Sequence, residues 1–219
     1  MEATRRSPIE HLARAAGAEL ALDAGWLIAR SFPGASTGGP GLSDESHWGK
    51  VLLHGRAAGR VAAALALEAP EATGGGFRHQ SKAVYRLRAD QLIVILPPAA
   101  QRDALRALLA ANTGDEMVTV TDVTHGRAQF RLTGPGTVDL LSRLCALDFD
   151  DSRFPDGTAR QTSVAKTTQL VIRDDLHEGT GPSYRLIGAR SLAAYLWQTI
   201  LEAGRDLGVR PLGWEQVGP

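Results

Sequence analysis

Residues 50–65, KVLLHGRAAGRVAAAL, and residues 128–144, AQFRLTGPGTVDLLSRL, carry one plan when Gly55 is set on Gly134. A short strand-like run precedes each glycine. After each comes an apolar series at helical spacing: Ala58, Val61, Ala62 and Leu65 in one copy, Thr137, Leu140, Leu141 and Leu144 in the other. Glycine suits a sharp strand-to-helix bend because it has no Cβ to clash there. Pro135 suits the first helical turn, where its missing N–H is not needed.

The copies continue in parallel. Residues 83–87 and 92–96 read as strands around the polar turn 88–91, followed by a helix over 100–111 with Ala104, Leu105, Leu108 and Leu109 as its apolar face. Residues 168–172 and 184–187 read as strands around a polar loop, 173–183. A helix over 191–206 follows, with Leu192, Tyr195, Leu196, Thr199 and Ile200 on one face. Ser191 is the expected N-cap and Gly208 the expected stop. MVTVTDV, residues 117–123, supplies a further strand. The order is βαββαβ, the split ferredoxin-like arrangement, present twice. The expected class is α+β. The expected division is an N-terminal helix within residues 1–24, its apolar spacing running over 9–22, then one fold over 25–215. Repeat one falls at about 48–123 and repeat two at about 128–213. Residues 26–28 read as a strand fragment, and residues 31–41 and Gly74-Gly75-Gly76 as loops.

Composition narrows the function classes. Lys plus Arg number 24 and Asp plus Glu 24, so no basic excess marks a nucleic-acid binder. Hydrophobic residues at 43% rule out a disordered chain. No apolar run reaches the roughly 18 residues that span a bilayer, and residues 1–10 lack a signal-peptide apolar region, so no membrane is expected and the cytoplasm is. The one cysteine, Cys145, sits in an apolar setting and reads as a core thiol. The six histidines are scattered without metal-ligand spacing, so no metal is expected. Dinucleotide and P-loop glycine patterns are missing. Asp44, Ser46 and His47 are too close along the chain to arrange nucleophile, base and orienter. Arg173-Asp174-Asp175 reads as a solvated hairpin tip.

Several stretches resemble the glycine-cleavage aminomethyltransferase family. GLSDESHWG, residues 41–49, is similar to its GLxDxSHxG; YRL at 85–87 with Asp90 to its YRLxxD hairpin; LTGP at 132–135 to its LxGP turn; and the run from Leu196-Trp197 to Gly213 to its closing helix. The resemblance covers about residues 25–213. It implies the aminomethyltransferase folate-binding fold and a vestigial folate pocket at Tyr85 and Arg173. Asp103 is the candidate catalytic residue, since it fits the family's NAxxxxKD aspartate without the asparagine; from the bare sequence it is a first-turn helix acid. The departures are specific. The family's RTGYTGExGYE, whose glutamate holds the pterin, is replaced by RDDLHEGTGPSY, residues 173–184. GGIxDD is replaced by GGGFRH, residues 74–79. The chain ends at Pro219, ahead of the segment that leads into the family's C-terminal barrel, so that barrel is expected to be lacking.

These losses resemble the gamma subunit of heterotetrameric sarcosine oxidase. CALD at 145–148, Phe154 with Gly157 and Thr162, and RSLAAYL at 190–196 match that family in order. The resemblance implies a non-catalytic subunit with no cofactor of its own, and tetrahydrofolate is expected to bind weakly or not at all. FAD, FMN and NAD are expected on partner alpha, beta and delta subunits. The alternative is a stand-alone folate-dependent one-carbon transferase using Asp103; a folate sensor is a third reading.

Overall fold

The computed structural model describes residues 4–34, 38–114, 116–176 and 181–217. Two compact units divide the chain: Met1–His47, Arg127–Asp156 and Gln161–Pro219 form one, and Trp48–Gly126 with Gly157–Arg160 the other.

The first unit begins with β1 (Arg5–Arg6), α1 (Glu10–Ala15), β2 (Glu19–Asp23), β3 (Trp26–Ser31) and β4 (Gly41–Asp44). The helix expected over 9–22 is therefore only six residues long. Gly17 at φ 77° stops it. The ELALD that follows pairs antiparallel with β3, Asp23 opposite Trp26, because Ala24 and Gly25 both take positive φ, 45° and 82°. That two-residue geometry matches the right-handed twist of a hairpin. Local pairing thus overrides an apolar spacing that also fits a helix.

The second unit holds β5 (Gly49–His54), α2 (Ala58–Ala62) extended by a tighter turn Ala63–Leu65, β6 (Gly76–His79), β7 (Lys82–Arg88), β8 (Gln91–Leu96), α3 (Gln101–Ala111) and β9 (Thr119–Asp122). Its sheet order is β6-β7-β8-β5-β9. Gly76 opens a strand instead of lying in the expected loop: it pairs with Tyr85, whose ring occupies the space a Cβ at 76 would need. Val51, Leu53, Val61, Ala62, Leu65, Val84, Val94 and Leu108 form the unit's core. Leu109, assigned to the apolar face of α3 from spacing, is 52% exposed.

The chain returns to the first unit with β10 (Arg127–Thr133), α4 (Thr137–Leu144), β11 (Ala159–Val164), β12 (Thr167–Arg173), β13 (Tyr184–Ala189), α5 (Ala193–Ala203) and β14 (Arg210–Leu212). The six-stranded sheet runs β11-β12-β13-β10-β4-β14. β14 pairs with β4 and not with β10, so the GLSD strand is inserted into the second repeat's sheet. β1, β3 and β2 form a small third sheet, and no described strand belongs to a separate C-terminal barrel.

Phe130, Leu132, Leu140, Leu141, Tyr184, Leu186, Leu196, Trp197 and Ile200 pack in this core, with the Phe130 and Trp197 rings edge to face at 5.3 Å. Cys145 is buried among them as a free thiol. Three local expectations shift. The N-cap of α4 is Gly136 at φ 77°, so Pro135 precedes the helix. A tighter turn, Arg190–Leu192, leads into α5, so Ser191 caps nothing, and α5 ends at Gly204, ahead of Gly208. The buried face of α5 is Ala193, Leu196, Trp197 and Ile200, while Leu192 and Tyr195 point outward.

Candidate functional site

β10 alternates. Ala128, Phe130 and Leu132 enter the core, so Gln129 and Arg131 lie on the opposite face of the sheet. The antiparallel register sets Arg131 directly across from Arg185 of β13. Two like charges in that relation repel. Carboxylates from two other segments resolve the conflict. Glu45, the residue after β4, places Oε1 2.5 Å from Arg131 Nε and Oε2 3.2 Å from Arg185 Nε. Asp174, the residue after β12, places Oδ2 2.9 Å from Arg131 Nη2 and 3.0 Å from Arg185 Nε. The Arg185 contacts are ion-pair contacts without hydrogen-bond alignment.

All four side chains are buried, and they close a ring of alternating charge. Gln129 donates to Glu45 Oε2 at 2.9 Å. Arg131 Nη1 donates to the Asp174 carbonyl at 2.9 Å and to Ser183 Oγ at 2.7 Å. Burial by itself would raise the Glu45 carboxyl, but Arg131 and Arg185 outweigh it and hold it below its ordinary range. Burial likewise works against the Arg131 charge, and Glu45 and Asp174 more than restore it. The Glu45 carboxylate and the Arg131 guanidinium are therefore held in their charged forms.

A second cluster adjoins the first along the chain. Arg173 faces Tyr184 across β12 and β13. Its guanidinium donates to Asp151 at 2.6 Å, to the Phe154 carbonyl at 2.9 Å, and to both oxygens of Asp175 at 3.1–3.2 Å. Burial opposes its charge, but Asp175 and Asp151 prevail and it remains a cation. Asp175 also accepts the backbone N–H of Ser183 at 2.9 Å. Burial pushes the Tyr184 hydroxyl up to about 12, so it stays protonated. The solvated tip expected at Arg173-Asp174-Asp175 is thus corrected: Arg173 and Asp174 are buried, because each has an opposite charge to meet. Residues 177–180 of that connection lie outside the described residues.

The positions singled out from sequence divide between the units. Tyr85 is fully buried on β7 and Asp103 lies in the first turn of α3, both in the second unit; Arg173 is in the first. The Asp103 side chain is 84% exposed and pairs with Arg106 at 3.2 Å. Asp44, Ser46 and His47 do not converge. Asp44 accepts from Ser7 and from the Ser46 backbone, whereas His47 Nε2 lies 3.1 Å from Asp23 Oδ2, and that bond holds Asp23 below its ordinary range. Among the described residues, no group of three or more His, Cys, Asp or Glu could hold a metal, and no helix is long and apolar enough to cross a membrane.

Sequence reading missed Glu45, Arg131, Arg185 and Asp174. The only available signal was an arginine at the outward parity of two adjacent strands, which also describes a solvent-facing strand.

The segment 173–175 pairs its charges within the chain: Asp174 with Arg131 and Arg185, Arg173 with Asp151 and Asp175, and Asp175 also with the Ser183 backbone.

The family model of the GCVT N-terminal domain matches residues 10–217. Aminomethyltransferases from Saccharopolyspora erythraea and Desulforamulus reducens are 25% and 26% identical, each over 97% of this chain and 62% of their own length. The chain thus spans 62% of the length of these curated relatives. In fold it is similar to the glycine cleavage system aminomethyltransferase T of Bartonella henselae, with a TM-score of 0.78, 17% identity, and coverage of 98% of this chain and 61% of that one. It is also similar to a chain of heterotetrameric sarcosine oxidase from Corynebacterium sp. U-96, with a TM-score of 0.73 and 24% identity. There the match covers 94% of this chain and 97% of the other.

Proposed function

The chain belongs to the GCVT N-terminal domain family, and from that premise we propose that it serves as a non-catalytic, gamma-type subunit of a cytoplasmic sarcosine oxidase-type complex. The observation that carries this reading is the near end-to-end match, over 97% of its partner's length, with one chain of a heterotetrameric sarcosine oxidase. The aminomethyltransferases match over only 62% of theirs. The internally neutralised cluster at Arg173, Asp174 and Asp175 supports it, since a buried pterin needs hydrogen-bond partners that are not already committed.

In this reading FAD, FMN and NAD reside on alpha, beta and delta partners, and this chain contributes assembly surface. An interface above about 2,000 Å², the range of permanent complexes, is expected. Co-expression with candidate alpha, beta and delta subunits, followed by size-exclusion chromatography with mass measurement, tests it. The chain should join the flavoprotein peak; a stable monomer that never does so overturns the assignment.

The curated aminomethyltransferase relatives favour a second reading, a stand-alone folate-dependent one-carbon transferase with Asp103 as its acid. Titration of tetrahydrofolate into the isolated chain by calorimetry separates the two. A dissociation constant of about 1 μM or tighter, roughly −8 kcal/mol, favours the transferase.

A further inference from the structure

We propose that Arg131 and Arg185 form a carboxylate-binding site that the chain fills with its own Asp174, and that a small carboxylate takes this place when the side chain is withdrawn. The inference does not depend on the subunit reading. It begins with the register that sets two guanidiniums opposite each other on adjacent strands. Such a pair is stable in a buried place only with a carboxylate between them.

Glu45 meets the pair from one side, at 2.5 and 3.2 Å, and Asp174 meets it again at 2.9 and 3.0 Å. The two acids come from different segments. Glu45 directly follows β4, and its backbone N–H is bonded to the Gln129 carbonyl at 2.8 Å. Asp174 belongs to the connection between β12 and β13, where its backbone N–H is bonded to the Ser183 carbonyl at 2.9 Å and its carbonyl accepts from Arg131. Its Oδ2 lies between the two guanidiniums, hydrogen-bonded to Arg131 and in ion-pair contact with Arg185, as one oxygen of a bound formate would.

A second observation marks unused hydrogen-bonding capacity on the same face. Ser43 Oγ, on the residue opposite Arg131 across β4 and β10, is buried without a hydrogen-bond partner among the described residues. As a hydroxyl it can donate to a carboxylate oxygen. A buried hydroxyl donor without a partner on this face is the kind of group a bound carboxylate would satisfy.

A tethered carboxylate has a high effective concentration, so external acids cannot compete in the wild-type chain. Asp174→Ala removes the occupant and leaves the guanidinium pair short of one negative charge. Thermal unfolding of the full chain is measured in sodium formate and in sodium chloride at equal ionic strength. For Asp174→Ala, formate is expected to raise Tm over chloride by about 2–4 °C or more, the shift that goes with tenfold-scale ligand occupancy in a chain of this size. The wild type should respond equally to both salts, and Asp174→Ala with Arg185→Leu should lose the formate response. If Asp174→Ala does not refold in chloride, recovery on refolding in formate is the readout. Equal behaviour of Asp174→Ala in the two salts, no recovery in formate, or a wild-type response as large as the variant's each overturns the proposal.

Discussion

Leu52 faces Ile93 across β5 and β8 in the first repeat. At the equivalent positions of the second repeat, three residues before the matched glycine, Arg131 faces Arg185 across β10 and β13. The backbone plan is the same in both: strand, glycine bend, helix, hairpin, helix. One copy fills the sheet face away from its helices with an apolar cross-strand pair, the other with two cations. The second solution needs help from beyond the repeat. Glu45 comes from the segment after the inserted strand β4, and Asp174 from the connection between β12 and β13. A repeated backbone thus specifies where a cross-strand pair stands and leaves its chemistry open, provided that any charge placed there brings counter-charges with it.

The strongest way to break this comparison is to remove one ion. Arg131→Met leaves Glu45 and Asp174 without the residue that bridges them, and urea unfolding should show a loss of about 3–5 kcal/mol. Converting the second repeat to the first repeat's solution tests the same idea from the other side. The combination of Arg131→Leu, Arg185→Ile, Glu45→Leu and Asp174→Asn should recover most of that loss, because no charge is left buried and unpaired. If the combined variant is as unstable as Arg131→Met, shape and not charge balance holds the region together.

Acid should distinguish the two solutions. The folded Glu45 carboxyl sits below its ordinary 4.5, so the unfolded chain takes up that proton first. The contribution of the ionised Glu45 is present above about pH 4.5 and is lost as pH falls through the lower folded value. The stability difference between wild type and the combined variant should therefore shift toward the variant below about pH 4.5 in urea titrations. A pH-independent difference would show that Glu45 is not held ionised by the two arginines.

The matched glycines offer a smaller contrast. Gly55 at φ 144° would place a Cβ 2.6 Å from the Met117 carbonyl oxygen, whereas at Gly134, φ 89°, the nearest atom is 3.2 Å away. Alanine should cost about 1–3 kcal/mol at either site, with Gly55→Ala the worse of the two by thermal unfolding. The smallest effect is expected at Asp103. With its side chain 84% exposed and paired to the exposed Arg106, Asp103→Asn should change stability by about 0.5 kcal/mol or less, and should leave turnover of a reconstituted complex intact. A loss of turnover of about a hundredfold would support the transferase reading instead.

Elements with strong internal periodicity were legible in the chain itself. The glycine bends, the apolar faces of α2 and α4, and the paired runs of β7 with β8 and β12 with β13 all follow from side chains a few residues apart. Elements of mixed signal were not. ELALD spaces its leucines in a way that suits helix or strand, and only pairing with β3 decides for the strand. GGGFRH looks like a loop until Gly76 is set against the Tyr85 ring. The outer face of α5 was misassigned by about one position, because Leu192 and Tyr195 look as apolar as the buried Ala193 and Leu196.

The candidate site was the least legible part, for a physical reason. Alternation along AQFRLT shows that Gln129 and Arg131 share one face of a strand, but a solvated face and a buried ionic one have the same alternation. The sequence by itself determined the repeated βαββαβ plan, the positions of its bends and the family to which the motifs point, since these depend on near-neighbour spacing and on backbone freedom at glycine. Only the tertiary structure decided that β4 enters the second sheet, that Arg131 stands against Arg185, and that Glu45 and Asp174 close the ring between them. Most of those contacts join residues far apart along the chain, as Glu45 with Arg131 and Arg185, and whether a charge is tolerable in a protein interior depends on what lies within about 4 Å of it, not on its neighbours along the chain.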